Sequence, residues 1–454
     1  MVNIGVVICN YNKKDYVIKC IESVKKQNIK ELDIYVVDNA STDGSAERIN
    51  EIFGDSLKLI INKENLGGSG GFNSGIREAL QKNYEYLVLL DNDIVLDENC
   101  IKNWYDTMCE NREIGIQGCK ILKMDYPDVI QEFAPVVNYE TMTFELCHGG
   151  ENDSAALPDI EDCDYVPACA LMVRTDVIRK IGLMPEENFI YYDDIEWGIR
   201  CRRAGYRVVA NSNAKVWHKG GAGINPTTFS TYYLNRNKVK FFMKYMQTEG
   251  GNAITEELID KRADAILLDT FQGIYMCLFN HFPNIVKTKM EAFLDALEGK
   301  SGKAEPYMIR EREINNKFEE VIGTKETILV KMNGYTENAR RIIFRINIYE
   351  KEKGKKFNII VTDDSLSEET ELLGYEIQKG SDLKFESDLT INVCKHILSD
   401  AFELTENEIF VDGWCNMAIN EEDINLCRRF EDEFNNFKLY FGDRIKNIIK
   451  NTIS

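Results

Sequence analysis

Across the first 125 residues, short β-branched runs alternate with stretches of helical periodicity, and that alternation points to a parallel sheet covered by helices. Strands are expected at Ile4 to Cys9, Ile34 to Val37, Leu57 to Ile61 and Tyr86 to Leu90. Helices are expected at Lys14 to Gln27, Gly44 to Phe53 and Gly70 to Gln81. Right-handed crossovers then align the strand ends Cys9, Asp38, Asn62 and Asp91 along one edge, the edge at which open α/β sheets bind ligands.

From Gly115 to about Arg174 the pattern changes to short strands and irregular loop, an extension of mixed sheet. A helix from Ile195 to Ala204 follows, then a strand pair around Arg207 to Ala210 and Ala214 to Trp217. Residues from about Thr227 to Leu297 read as helices, with Ile266 to Phe282 apolar enough to pack against another element or another subunit. The run Gly299 to Pro306 has the composition of a linker. After it, Thr327 to Met332, Phe357 to Thr362, Leu389 to Val393 and Ile409 to Asp412 alternate with helical stretches at Thr336 to Glu350 and Glu421 to Phe434. The expected organisation is an α/β domain over 1–248, a helical segment over 249–300 and a smaller α/β domain over 301–454. At 454 residues the chain is too long for a single core, which agrees with that division.

A formal charge of −20 argues against nucleic acid as a partner, because phosphate contacts need clustered Lys and Arg. One segment departs from the average. Between Trp197 and Thr248 there is no Asp or Glu, while Arg200, Arg202, Arg203, Arg207, Lys215, Lys219, Arg236, Lys238, Lys240 and Lys244 supply ten positive charges. Such a stretch is expected to attract an anionic substrate or an anionic lipid surface. The thirteen cysteines form no CxxC pair, so reduced, buried thiols in a cytoplasmic setting are expected rather than zinc or disulfide frameworks. No run of eighteen apolar residues occurs, and the start Met1 to Ile8 enters a strand pattern without a charged leader, so neither a membrane span nor a secretion signal is expected.

Two acidic signatures carry the chemistry. The apolar run Leu89-Leu90 ends in Asp91-Asn92-Asp93, which delivers two carboxylates to a strand end, where hard divalent cations and the phosphates they bridge are bound. About a hundred residues on, Asp193-Asp194-Ile195-Glu196 opens a helix whose exposed N–H groups favour carboxylates, and such a group can take a proton from a hydroxyl. The histidine of Val216-Trp217-His218 is reached from Asp194 by one helix and a strand hairpin, a path that can return the chain to the same pocket. Asp38 can accept from a base N–H or a ribose hydroxyl, and Tyr11 offers a ring face for stacking. The segment Asn65 to Gly75, with Gly67 and Gly68 at its head, lets backbone approach an anion at a helix start. It matches neither the dinucleotide fingerprint nor the Gly-Lys-Ser/Thr phosphate loop.

In this order, these residues resemble the family-2 glycosyltransferases over roughly Asn3 to Lys244. The likeness is greatest to bacterial galactofuranosyltransferases and rhamnosyltransferases, through Asn65 to Phe72, the Asp193-Asp194 pair and Trp217-His218. The resemblance implies a GT-A fold, in which Asp91, Asp93 and His218 hold Mn²⁺ or Mg²⁺, Asp91 and Asn92 face the donor, and Cys9, Tyr11 and Asp38 line the nucleotide pocket. It further implies that Asp194 is the general base of an inverting transfer, with Asp193 and Glu196 near enough in sequence to share the role. A UDP- or dTDP-sugar donor and a saccharide or lipid-linked saccharide acceptor follow as expected partners, with peripheral association at the inner face of the membrane and self-association as further expectations. Where many relatives carry Arg in the Gly-rich helix this chain has Phe72, so Arg200 or Lys219 is expected to meet the nucleotide instead. A sugar-phosphate nucleotidyltransferase and a scaffold with a relict transferase domain are the competing readings.

Overall fold

The computed structural model describes residues 3–29, 31–145, 147–220, 227–246, 254–311, 313–314, 316–365, 371–379, 386–398 and 403–453. Residues 221–226 and Thr248, which belong to the acid-free stretch, lie outside them. The chain divides into two compact units: Met1–Ile266 with Glu291–Arg310 and Arg444–Ser454, and Leu267–Met290 with Glu311–Asp443.

The first unit runs β1 (Ile4–Asn10), α1 (Lys14–Lys25), β2 (Leu32–Asp38), α2 (Ser45–Phe53), β3 (Lys58–Ile61), α3 (Gly67–Ala79) and β4 (Tyr86–Asp91). It continues through β5 (Ile94–Leu96), α4 (Cys100–Glu110), β6 (Ile114–Lys123), β7 (Tyr126–Glu132), β8 (Val136–Asn138), β9 (Thr143–Glu145) and β10 (Ile160–Asp162). Then come β11 (Ala170–Arg174), α5 (Thr175–Ile181), α6 (Asp193–Arg203), β12 (Arg207–His218) and α7 (Thr228–Lys244), while α8 (Glu256–Phe279) and α9 (Pro283–Leu297) each belong partly to this unit and partly to the second. The main sheet is ordered β10-β12-β6-β11-β4-β1-β2-β3, with β5 on β12 and β7 on β6. Strands β4, β1, β2 and β3 are parallel, and β11 enters antiparallel between β4 and β6.

Period-2 alternation divides the buried side chains between two layers. Ile4, Val6 and Ile8 of β1 join Val36, Val88 and Leu90 under α1 and α4, where Ile21, Val24, Ile101 and Trp104 meet them. Val7, Val37, Leu87 and Leu89 face the other way, onto Phe72 and Ile76 of α3 and Trp197 of α6. Each such aliphatic side chain contributes about 1.5–3 kcal/mol by leaving water, so both faces anchor the edge that carries the acidic residues. This α/β layout, with a parallel half and a mixed extension, is the one the GT-A expectation called for.

The expected strand pair after α6 is instead the single strand β12, whose register against β6 shifts between Asn211 and Lys215. A bulge, not a turn, absorbs the polar Asn211-Ser212-Asn213, and it re-aims the strand so that His218 lies opposite Ile94 of β5. The Gly299 to Pro306 run is not a free linker. The Gly302 N–H donates to the Glu187 carbonyl at 2.7 Å, and the Ala304 N–H donates to the Tyr233 hydroxyl at 2.8 Å. Nor is the basic stretch an open positive field. Arg200 and Lys244 pair with Glu196, Arg202 with Asp164, Arg207 with Glu113 and Asp162, Lys215 with Asp153, and Lys219 with Asp125. Carboxylates from other parts of the first unit, together with Glu196 at the start of the same helix, pair with six of its ten cations.

The second unit contains α10 (Lys317–Gly323), β13 (Thr327–Lys331), α11 (Thr336–Lys353), β14 (Asn358–Thr362), β15 (Glu371–Leu372), β16 (Tyr375–Gln378), β17 (Leu389–Val393), β18 (Glu408–Val411), β19 (Met417–Ala418) and most of α12 (Glu421–Ile453). Its sheet is ordered β15-β16-β14-β13-β17-β18-β19, parallel through the centre. The apolar stretch of α8 packs here: the Phe271 ring lies 5.5, 5.7 and 5.1 Å from Phe430, Phe434 and Phe437. All thirteen cysteines are free thiols. Among the described residues no helix is long and apolar enough to cross a membrane.

Candidate active site

The ends of β1, β2 and β4 meet through side chains as well as backbone. Asn10 Nδ2 donates to Asp38 Oδ2 at 3.0 Å, and Asn92 Nδ2 donates to Asn10 Oδ1 at 2.9 Å. The Ser41 N–H donates to Asp38 Oδ1 at 2.8 Å, so Asp38, 1% exposed, shapes its turn while keeping lone pairs free. Tyr11 stands 44% exposed, its ring open to a stacking partner. Cys9 is neutral, since burial and the charge of Asp91 push its thiol up. A side chain at Gly71 would meet Cys9 Sγ at 2.4 Å, which explains that glycine. Asn39, which the sequence did not single out, pins the Gly-rich turn to β2: Nδ2 donates to the Gly67 carbonyl at 2.8 Å and Oδ1 accepts from the Leu66 N–H at 3.1 Å.

Gly67 and Gly68 serve this packing directly. At Gly67, φ is +78° and a Cβ would lie 2.0 Å from the Phe189 carbonyl oxygen. A Cβ at Gly68 would lie 3.8 Å from Asp193 Oδ2, so the start of α3 faces the second acidic cluster.

Asp91, Asp93 and His218 come together, with one ligand atom from each lying within 4.8 Å of the others. Asp91 ends β4, while Asp93 sits two residues on and presents its carboxylate to Lys13 and His218. Lys13 Nζ donates to Asp93 Oδ2 at 2.5 Å, and His218 Nε2 lies 3.5 Å from Asp93 Oδ1. On the far side of the ring, Gln131 of β7 is 2.9 Å from Nδ1 and fixes its orientation. Burial raises the Asp93 carboxyl, but the bonds from His218 and Lys13 outweigh it and bring it down to about 2. Asp91 lacks those bonds, and burial with the neighbouring Asp93 charge lifts it to about 6. For His218, burial lowers the imidazole pKa and the bond to Asp93 more than restores it. The trio suits a hard divalent cation: two carboxylates fit Mg²⁺, and the imidazole makes Mn²⁺ equally acceptable.

The second cluster follows a strained loop. Phe189, Tyr191 and Tyr192 hold φ of 66°, 65° and 67°, unusual for aromatic side chains. Asn237 of α7 clamps this loop, Nδ2 donating to the carbonyls of Asn188, Ile190 and Tyr191 at 2.9, 2.9 and 3.0 Å. The neighbouring Arg236 Nη2 donates to Asn188 O at 2.9 Å. Asp194 then emerges with Oδ2 accepting from the Ala168 N–H at 3.2 Å and Oδ1 from the Ile195 N–H at 2.8 Å. Burial raises its pKa, and burial with the Asp194 charge raises Asp193 to about 8. Glu196 turns away to Arg200 and Lys244, both at 2.6 Å, which removes it from the candidate bases. Those pairings, and that of Lys219 with Asp125, occupy Arg200 and Lys219, the cations expected at the nucleotide, while Lys13 reaches Asp93. Glu132 at the end of β7, a carboxyl that no sequence motif marks, accepts from the Tyr165 hydroxyl at 3.3 Å. Burial and the Asp194 charge raise it to about 7. Its signal was hidden because β7 is an edge strand of mixed polarity.

The sequence of the first half matches known proteins. Residues 5–154 match Glycosyl transferase family 2. An uncharacterized glycosyltransferase of Haemophilus influenzae is 33% identical over 249 residues, 51% of this chain and 75% of that protein. The dTDP-rhamnosyl transferase RfbF of Shigella flexneri is 28% identical over 246 residues, 52% of this chain and 78% of that one. Galactofuranosyltransferase GlfT2 of Mycolicibacterium smegmatis is 26% identical over 203 residues, 41% of this chain, and the match spans only 31% of that enzyme.

Proposed function

The chain belongs to the family-2 glycosyltransferases, and from that premise we propose that it transfers a hexose from a UDP- or dTDP-sugar to a saccharide or lipid-linked saccharide acceptor during cell-surface polysaccharide synthesis. Galactofuranose or rhamnose is the favoured sugar, a reading supported by the likeness to the galactofuranosyltransferase GlfT2 and the dTDP-rhamnosyl transferase RfbF. The observation that carries the proposal is the convergence of Asp91, Asp93 and His218 at one sheet edge, close enough to the Asp193-Asp194 helix start for Asp91 to raise Asp193.

Asp91, Asp93 and His218 would hold Mn²⁺ or Mg²⁺, which supplies Lewis-acid stabilisation to the departing diphosphate. Asp194 takes the acceptor hydroxyl proton as the oxygen attacks the anomeric carbon from the face opposite the leaving group, which inverts it. Its two backbone donors fix the carboxylate's orientation, and its raised pKa makes it a stronger base than a solvated carboxylate. Cys9, Tyr11 and Asp38 receive the nucleotide, with Gly67, Gly68, Asp91 and Asn92 closing on the donor. Lys13 adds a positive charge on the side of the diphosphate.

Thermal shifts with UDP-, dTDP- and GDP-sugars, with and without Mn²⁺, test the donor. Stabilisation by one class only in the presence of metal is expected, about 2.7 kcal/mol at a hundred times its dissociation constant. Asp194→Asn should bind donor normally while losing about 3 to 5 kcal/mol of transition-state stabilisation. Near-normal transfer by that variant would remove Asp194 as the base, and pyrophosphate release from a sugar phosphate and a nucleoside triphosphate would replace the reading with nucleotidyl transfer.

A further inference from the structure

Arg262 of α8 is a buried cation with no carboxylate partner among the described residues. It is 6% exposed, and its Nη1 is sealed from solvent with no hydrogen-bond partner. Its guanidinium lies over two rings, 5.9 Å from the centre of Tyr139 and 5.4 Å from that of Phe242. Other buried cations of the first unit are matched: Arg236 donates to the carbonyls of Gly302 and Asn188, and Lys120 pairs with Asp153 at 2.5 Å. Ring faces attract a guanidinium but do not replace the water it loses on burial, so this charge lacks a compensating anion and could accept one from a ligand.

A second cation stands nearby. Arg203 of α6 is exposed and lies 4.8 Å over the Tyr245 ring, with no carboxylate partner among the described residues. The adjacent Arg202 is closed off by Asp164. The Tyr245 ring beneath Arg203 lies 5.0 Å from Phe241, so Arg203 and Arg262 border one aromatic cluster. Tyr139 stacks on Phe241 at 6.4 Å, and Phe241 meets Tyr192 at 5.5 Å. Tyr192 directly precedes Asp193 and Asp194, so this cluster sits behind the acceptor side of the site and not at the strand edge expected to hold the donor diphosphate.

We propose that Arg262, Arg203 and the Tyr139 hydroxyl form an anion subsite that holds a phosphate group of the acceptor. Two guanidinium forks and a phenolic donor match the charge and the oxygens of a phosphate. Only the assignment of that phosphate to the acceptor rests on the transferase reading; the anion subsite stands without it.

The test is calorimetric titration of the full chain with inorganic phosphate in EDTA, so that no cation draws phosphate to Asp91 and Asp93. One phosphate per chain is expected, bound at least tenfold more weakly by Arg262→Met and by Arg203→Ala. Without phosphate, Arg262→Met should melt at or above the wild-type temperature, because it deletes an unpaired charge and keeps the stem volume. Farnesyl phosphate and glycerol 3-phosphate then distinguish a lipid phosphate from a glycan phosphodiester by which of them binds more tightly than inorganic phosphate. If neither does, the acceptor assignment falls. Unchanged phosphate affinity in both variants overturns the subsite. Release of nucleoside diphosphate from sugar donors is measured alongside, and its absence with phosphate binding intact removes the transferase reading alone.

Discussion

Replacing Asn237 by Leu tests whether α7 positions the base. Asn237 is 1% exposed, and its amide serves three carbonyls of the 188–191 loop while its Oδ1 accepts from Arg236 Nε at 3.0 Å. With two amide protons for three carbonyls, the substitution removes the equivalent of three hydrogen bonds, about 1 kcal/mol each, and leaves buried carbonyls bare at about 1–3 kcal/mol more. A loss of about 3 to 5 kcal/mol is therefore expected, which at about 2 °C per kcal/mol for a unit of this size lowers Tm by 6 to 10 °C. The three left-handed aromatic residues each hold about 1–2 kcal/mol of strain, which they release once the clamp is gone. Asp194 then shifts, and a displacement near 1 Å costs about 10²-fold in rate. Donor affinity should hold, because Asp91, Asp93 and His218 stand on β4 and β12 and the turn after β4. Transfer and donor binding are measured well below the lowered Tm. A folded Asn237→Leu protein that transfers within threefold of wild type would refute the positioning argument.

Two further outcomes follow from the same geometry. Asp193 is protonated in the folded chain up to about pH 8 but ionises near 3.9 when unfolded, so the stability it lends is full below pH 4 and is lost as pH rises toward 8. In metal-free buffer the Tm of Asp193→Asn should therefore fall less than that of wild type between pH 5 and 8, and parallel curves would count against the burial of that carboxyl. Gln131→Leu should weaken Mn²⁺ binding about 10- to 100-fold by freeing the His218 ring, as read by metal titration followed by thermal shift. An unchanged midpoint would mean the ring needs no such support.

What the sequence disclosed depended on whether a signal was local. β4 is legible because five apolar residues ending in an acid have few other uses, and its observed span differs from the expected one only by including Asp91. The start of α3 was placed late, at Gly70, because glycine has poor helix propensity. The structure begins the helix at Gly67, where contact with Phe189, and not propensity, decides. Long-range partners left no trace. Asn237 and Glu132 are ordinary polar residues in a helix and an edge strand, and their importance comes from which carbonyl or carboxyl the fold brings against them. The hairpin expected before His218 failed for a related reason: Asn211-Ser212-Asn213 has turn composition, but pairing with β6 resumes at Lys215 and turns it into a bulge.

The two acidic clusters hold their charge by different means, and the difference suits their proposed roles. Asp93 is kept ionised by Lys13 and His218, so it would offer a formed anion to a divalent cation. Among the described residues Asp193 and Asp194 have no such cationic partner: burial raises both, and backbone N–H groups support the negative form. A group with raised proton affinity suits proton removal, whereas one held near 2 would be too weak a base to take a hydroxyl proton. The pairing of Glu196 with Arg200 and Lys244 places it with Asp93 on the weakly basic side of that division. Charge compensation therefore supports the proposal that Asp194, with its neighbour Asp193, accepts the proton. Of the two, Asp194 is the less deeply buried and so the one an incoming hydroxyl can reach.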